Sequence, residues 1–148
     1  MELKFEILGK PQGLDRSRQT AQGFRFDSAK NRSNKALIRM IAENEAEKMN
    51  VSLPIPAGKT GYQICLDIEI APTKSWTKKK LKEIELGLWR PLSKPDIDNV
   101  LKLYLDALNG VVIEDDRFVT SVSLTRKFSK KDKVICSLSW QKESMQNG

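Results

Sequence analysis

The chain has 148 residues, of which 39% are hydrophobic and 30% charged, the balance of one folded domain with a real core rather than of a disordered segment. Lys and Arg number 26 against 19 Asp and Glu, for a formal net charge of +7; an excess of this sign suits a polyanionic partner contacted through phosphates. Histidine is absent, which excludes His-based acid–base catalysis, Ser–His–Asp triads and most zinc sites.

In chain order, Leu3-Lys4-Phe5-Glu6-Ile7 alternates apolar and polar residues, the period of a half-buried strand. The start shows no signal-peptide core and no run reaches transmembrane length, so a soluble, cytoplasmic protein with no membrane partner is expected. After Gly9-Lys10-Pro11, residues 14–30 are polar and cationic, with Arg16, Arg18, Arg25 and the rings of Phe24 and Phe26 interleaved. A loop of this kind either follows a nucleic-acid backbone or is a plain mobile surface loop. A helix is expected from Ser33, its N-cap, to Met49, with Ala36, Leu37, Ile38, Met40, Ile41, Ala42 and Ala46 on the apolar face. Tyr62 to Ile70 reads as a second alternating strand. Lys74-Ser75-Trp76-Thr77-Lys78-Lys79-Lys80 is a basic run in which Thr77 caps a short helix closed near Gly87. It is either a solvated face or a phosphate-binding patch.

Next comes a helix from Asp96 to Asn109-Gly110, with Pro95 at its approach and Ile97, Val100, Leu101, Tyr104, Leu105 and Leu108 as its buried stripe. Val111-Val112-Ile113 runs on into Glu114-Asp115-Asp116. Strands around Phe118 to Phe128 and Val134 to Trp140, parted by a polar turn, suggest a closing hairpin. Cys65 and Cys136 sit inside apolar strand-like runs and read as buried, reduced thiols. Residues 141–148 form a polar tail expected to fray. No repeat or linker divides the chain, so one domain spans residues 1–148.

On a helix, Asp98, Lys102 and Asp106 share a side, and Asp96 and Asn99 share its first turn. Only a short return is needed to bring Asp115 and Asp116 to the same end. Carboxylates gathered this way repel one another unless a cation joins them, and with no His the donors are oxygens, the preference of Mg²⁺ or Mn²⁺. Asp106, two turns from Asp98, lies too deep to share such an ion. The plainer reading makes Asp96 a cap, Asp98–Lys102 an ion pair and Asp115-Asp116 a turn. A calcium EF-hand is a poor rival, because Leu101 and Ala107 stand where its loop needs Gly and Glu.

The run Lys-Pro-Asp96-Ile-Asp98-Asn99-x-x-Lys102-x-x-x-Asp106-Ala107-Leu108 with a later Asp115-Asp116 resembles the RusA family of Holliday-junction resolvases. The likeness extends to the basic Lys-Ser-Trp segment and to Gly9-Lys10-Pro11. Gln12-Gly13-Leu14-Asp15 departs from the Pro-Lys-Gly-Arg run common in relatives. The resemblance implies an α/β (α+β) domain with a mixed sheet and a few helices. It implies a homodimer that nicks four-way DNA junctions in pairs with Mg²⁺ or Mn²⁺, in recombination and repair, whether host- or prophage-encoded. Its catalytic residues map onto Asp96, Asp98 and Asp116, with Lys102 as the catalytic lysine; Asp115 is a further candidate metal ligand. Lys10, Arg16, Arg18, Lys74, Lys78, Lys79, Lys80 and Lys94 are the candidate DNA contacts. A non-catalytic branched-DNA-binding protein and a general metal-dependent phosphoesterase are the alternatives.

Overall fold

The computed structural model describes residues 1–15, 18–19, 21–23 and 25–142. In chain order the elements are β1 (Glu2–Leu8), β2 (Arg18–Gln19), β3 (Arg25–Phe26), α1 (Ala29–Lys48), β4 (Tyr62–Ile70), α2 (Lys78–Glu85), α3 (Ile97–Leu108), a 3₁₀ turn (Asp116–Phe118), β5 (Val119–Phe128) and β6 (Lys133–Trp140). β1, β6, β4 and β5 form a mixed sheet in that order, while β2 and β3 pair by themselves. β6 is antiparallel to both its neighbours, and β4 is parallel to β5. The result is one α+β domain with a mixed sheet and a few helices, as expected. No helix among the described residues is long and apolar enough to cross a membrane.

The hairpin expected of the last two strands does not form, because β4 lies between β5 and β6. The reason is apolar content. Tyr62, Ile64, Leu66 and Ile68 of β4 are all buried, so β4 takes the central place. β5, with Thr120, Ser121, Val122 and Ser123 all exposed, is left at the edge. A parallel β4–β5 pair needs a long crossover, and the segment carrying α2 and α3 supplies it.

One side of the sheet, lined by Leu3, Phe5, Ile64, Leu66, Ile68, Val134, Cys136 and Leu138, is covered by α1 and α3. α1 begins one turn earlier than its apolar period suggests. Ser28, not Ser33, is the cap, its Oγ accepting from the Asn31 amide at 3.0 Å. Its buried residues are Asn31, Ile38, Ala42 and Ala46, whereas Leu37 and Met40 are exposed. Small side chains at 42 and 46 let α1 lie close to its neighbours. α3 is also rotated from expectation. It buries Val100, Leu103, Tyr104, Ala107 and Leu108, but Ile97 is exposed and Leu101 and Leu105 are only half-buried.

Asn31 does more than begin a helix. Its fully buried side-chain amide accepts from the Asp15 N–H at 2.9 Å and donates to the Asp15 carbonyl at 3.0 Å. This pins the segment entering the cationic loop onto α1. Asn31→Ala removes both bonds, so we expect a loss of about 1–3 kcal/mol, read as an earlier denaturant midpoint at unchanged m-value.

Cys136 is buried, and its thiol is pushed well above the ordinary cysteine range by that burial. Cys65 is also free but only half-buried, which differs from the buried thiol its apolar run suggests.

Candidate active site

α3 starts at Asp96, whose φ of −66° and ψ of 146° are those of an N-cap. A capping carboxylate normally accepts a backbone N–H. Asp96 makes no such bond, so among the described residues its oxygens have no partner at the positive end of the helix. Asp98 follows in the first turn and pairs with Lys102 at 3.9 Å, both side chains being well exposed. Solvated pairs of this sort contribute only a few tenths of a kcal/mol. The plainer reading of Asp96 as a working cap therefore fails, and fold stability gives little reason for an Asp at 98.

Two contacts hold this end of the helix. Arg126, on the helix-facing side of β5, donates through Nη1 to the Ser93 carbonyl at 2.8 Å and the Pro95 carbonyl at 2.7 Å. The Leu14 amide donates to the Asn99 carbonyl at 3.1 Å, which places residues 11–15 alongside. Between them lies a cleft of about 480 Å³, lined by residues 11–15 with Lys30, Lys94, Pro95, Asp96 and Asn99. Gly13 is pressed against α3: a Cβ there would lie 3.0 Å from the Asn99 Cβ and 3.1 Å from the Pro95 Cβ. The departure at Gln12-Gly13 thus puts the smallest residue where the arm meets the helix.

Asp115 and Asp116 do not return to this end. The Asp116 amide donates to the Asn109 Oδ1 at 2.9 Å, and Asn109 is the C-cap of α3. At 1.5 Å per residue the helix holds Asp96 about 20 Å from Asn109. Asp115 accepts from the Arg117 amide at 2.9 Å and pairs with its guanidinium at 3.4 Å. Among the described residues no three Asp, Glu or Cys side chains stand close enough to share a metal ion. One chain therefore sets Asp96 and Asp98 at the start of α3, with Lys102 against Asp98, and leaves Asp116 apart. A metal held by all three aspartates does not fit the single chain.

The far end is built as carefully as the near one. The buried Tyr62 hydroxyl donates to the Ile55 carbonyl and accepts from the Glu114 amide at 3.0 Å. The Glu114 carboxylate accepts from the Ala57 amide at 2.8 Å. Arg39 donates to the Ala107 carbonyl at 2.7 Å, a cation at the negative end of α3. Gly61 has a φ of +68°, and a Cβ on it would fall 2.1 Å from the Phe118 carbonyl oxygen. Gly61→Ala must shift the turn that carries Asp116. We expect at least about 2 kcal/mol of destabilisation from strain and clash together, measurable by thermal unfolding.

Of the expected DNA contacts, Lys10, Lys74, Lys78, Lys79 and Lys94 are exposed. Thr77 caps α2 as expected, its Oγ1 accepting from the Lys80 amide at 3.2 Å. The Lys80 ammonium instead lies 3.9 Å from the Trp76 ring centre and 4.9 Å from that of Trp89. It is already engaged by aromatic faces. Arg16 and Phe24 lie outside the described residues, as do the side chains of Arg18, Arg25 and Phe26 and residues 143–148. Asn31, Tyr62, Asn109 and Arg126 are functional supports that the sequence pattern does not single out. Only Arg126 leaves a signal, as a charge in the apolar phase of Val122, Leu124 and Phe128.

The model of the family described as endodeoxyribonuclease RusA matches residues 9–139. The chain belongs to the RusA endodeoxyribonuclease family. The match covers every expected site residue and runs from the Gly9-Lys10-Pro11 start to Ser139 in β6. The chain is also similar to the uncharacterized protein YqaN of Bacillus subtilis (strain 168). The two are 27% identical over 135 residues, which covers 89% of this chain and 92% of the relative. Membership in the RusA family supports a nuclease.

Proposed function

We propose that this RusA protein is a Mg²⁺- or Mn²⁺-dependent endonuclease that introduces paired nicks into four-way DNA junctions during recombination and repair. The observation that carries the reading is the uncommitted Asp96 carboxylate, with Asp98 and Lys102 beside it at the lip of a cleft flanked by Lys30 and Lys94. Asp96 and Asp98 are hard oxygen donors, suited to Mg²⁺ in a protein without His. Such an ion, when bound, polarises the phosphodiester and lowers the pKa of water. In this reading Lys102 meets the added negative charge of the transition state. The lysines along the cleft and on α2 hold phosphates without reading bases, which favours recognition by branched shape.

A synthetic four-way junction and a linear duplex of the same sequence, each incubated with protein and Mg²⁺ or Mn²⁺, test the proposal. Symmetric nicks that ligase reseals, confined to the junction, are expected. Equal cutting of the duplex would point to a general phosphoesterase. Binding without cutting under either metal would leave only a branched-DNA-binding protein.

A further inference from the structure

Where α2 meets the end of β5 the chain forms a second cleft, of about 260 Å³, walled by Trp76, Lys80, Trp89, Arg90, Ser93 and Phe128. Trp76 meets Phe128 edge to face, with ring centres 5.4 Å apart and planes at 86°. That contact fastens the start of α2 to the end of β5. None of the residues of α2 is buried, so the helix docks on this corner and not on the core beneath α1 and α3.

Trp89 takes no part in the edge contact. Its indole N–H donates to the Glu83 carboxylate at 2.8 Å, which fixes the ring, yet 42% of the residue stays exposed. The Lys80 ammonium covers one face of each indole, at 3.9 Å from the centre of Trp76 and 4.9 Å from that of Trp89. Residues 74–90 carry six Lys or Arg against two Glu, and one of those two, Glu83, is the partner of Trp89. A fixed, exposed indole set among cations suits a ligand with a planar ring and an anion beside it. A nucleotide is such a ligand.

This cleft and the nuclease site share one stretch of backbone. Arg90 and Ser93 line the first, and Lys94, Pro95 and Asp96 line the second. Arg126 holds the carbonyls of Ser93 and Pro95, and Arg90 donates to the Arg126 carbonyl at 3.3 Å. The stretch is therefore braced against β5 at both clefts. From Ser93 to Asp96 the backbone spans at most about 11 Å, roughly the rise of three stacked nucleotides.

We propose that the second cleft takes one unstacked nucleobase, laid on Trp89, with Lys80 and Arg90 towards its phosphate. In a continuous duplex the neighbours of each base cover both its faces. Only a single strand, or a strand opened at a branch, offers a face to the indole. The cleft thus adds a preference for branched DNA that contacts to phosphate alone do not supply. The link to junction nicking rests on the nuclease reading; the binding of a base does not.

Binding is measured without divalent metal, by fluorescence anisotropy of labelled oligo-dT, a linear duplex and a four-way junction. Trp89→Ala is expected to weaken binding of oligo-dT and of the junction by about fivefold to a hundredfold, with duplex binding unchanged. The slope of affinity against salt is expected to hold, since no cation is lost. Trp89→Phe keeps an aromatic face and is expected to retain most of the affinity. Circular dichroism checks that each variant is folded. Independently of any loss of folding in Trp89→Ala, oligo-dT is expected to quench the tryptophan emission of the wild-type protein, and most of that quenching disappears in Trp89→Phe although binding persists. Equal losses for duplex and oligo-dT, no loss for oligo-dT, or emission that oligo-dT leaves unquenched overturn the base site. A Trp89→Ala variant with altered sedimentation assigns the indole to a protein contact and overturns it too. A wild-type protein that binds oligo-dT through Trp89 but never nicks a junction overturns the nuclease reading and leaves the base site standing.

Discussion

Asp98→Asn is expected to slow junction nicking by on the order of a hundredfold or more, since even residues that only orient a metal ligand cost 10–100-fold when lost. Folding should be nearly untouched. The side chain is exposed, and its one partner among the described residues is the solvated Lys102 ammonium at 3.9 Å. The amide keeps the shape of the carboxylate while removing its charge, so junction affinity should hold or rise slightly as repulsion of DNA phosphates is relieved. Single-turnover nicking alongside a gel-shift titration separates the two effects. Nicking at the wild-type rate would remove Asp98 from the chemistry. Equal losses of nicking and binding would make it a DNA contact instead.

Tyr62→Phe is the change expected to cost most through the fold. The missing hydroxyl leaves the Ile55 carbonyl and the Glu114 amide without their partner in a position where Tyr62 itself is fully buried. Two unmet backbone groups correspond to about 2–4 kcal/mol, or a fall in midpoint of roughly 5–10 °C for a chain of this size. The same hydroxyl tethers the backbone just before Asp115-Asp116. Nicking measured well below the unfolding transition should therefore fall further than the folded fraction does. A variant that loses stability but keeps its full rate would show that the turn is held by Asn109 and Glu114 alone.

Local pattern makes much of the molecule legible from the residues alone. The alternation in Tyr62–Ile70 and Lys133–Trp140 reports which side chains face the helices, and Thr77 caps α2 at the position its spacing indicates. The start of α1 escapes such reading because its first turn is held by a polar residue, Asn31, whose partner lies sixteen positions earlier in the chain. No periodicity reports such a contact. The buried stripe of α3 escapes it for a related reason. Eight apolar residues compete to face inward, and only the positions of α1 and the arm at 11–15 decide that Leu103 and Ala107 do so while Ile97 does not.

The sequence by itself narrowed the chemistry. A chain with no His and a surplus of cations leaves oxygen donors as the ligands a metal would find and favours a polyanionic partner. Spacing along α3 also put Asp96, Asp98 and Lys102 at one end, because positions within a turn are set by 3.6 residues. Tertiary structure alone decided where Asp116 goes. β4, the most apolar strand, takes the centre of the sheet and sends β5 to the edge, running back along α3 from its far end. A carboxylate seven residues beyond Asn109 is near in sequence, but its place depends on which strand wins the middle of the sheet, a competition between whole strands that no local spacing encodes.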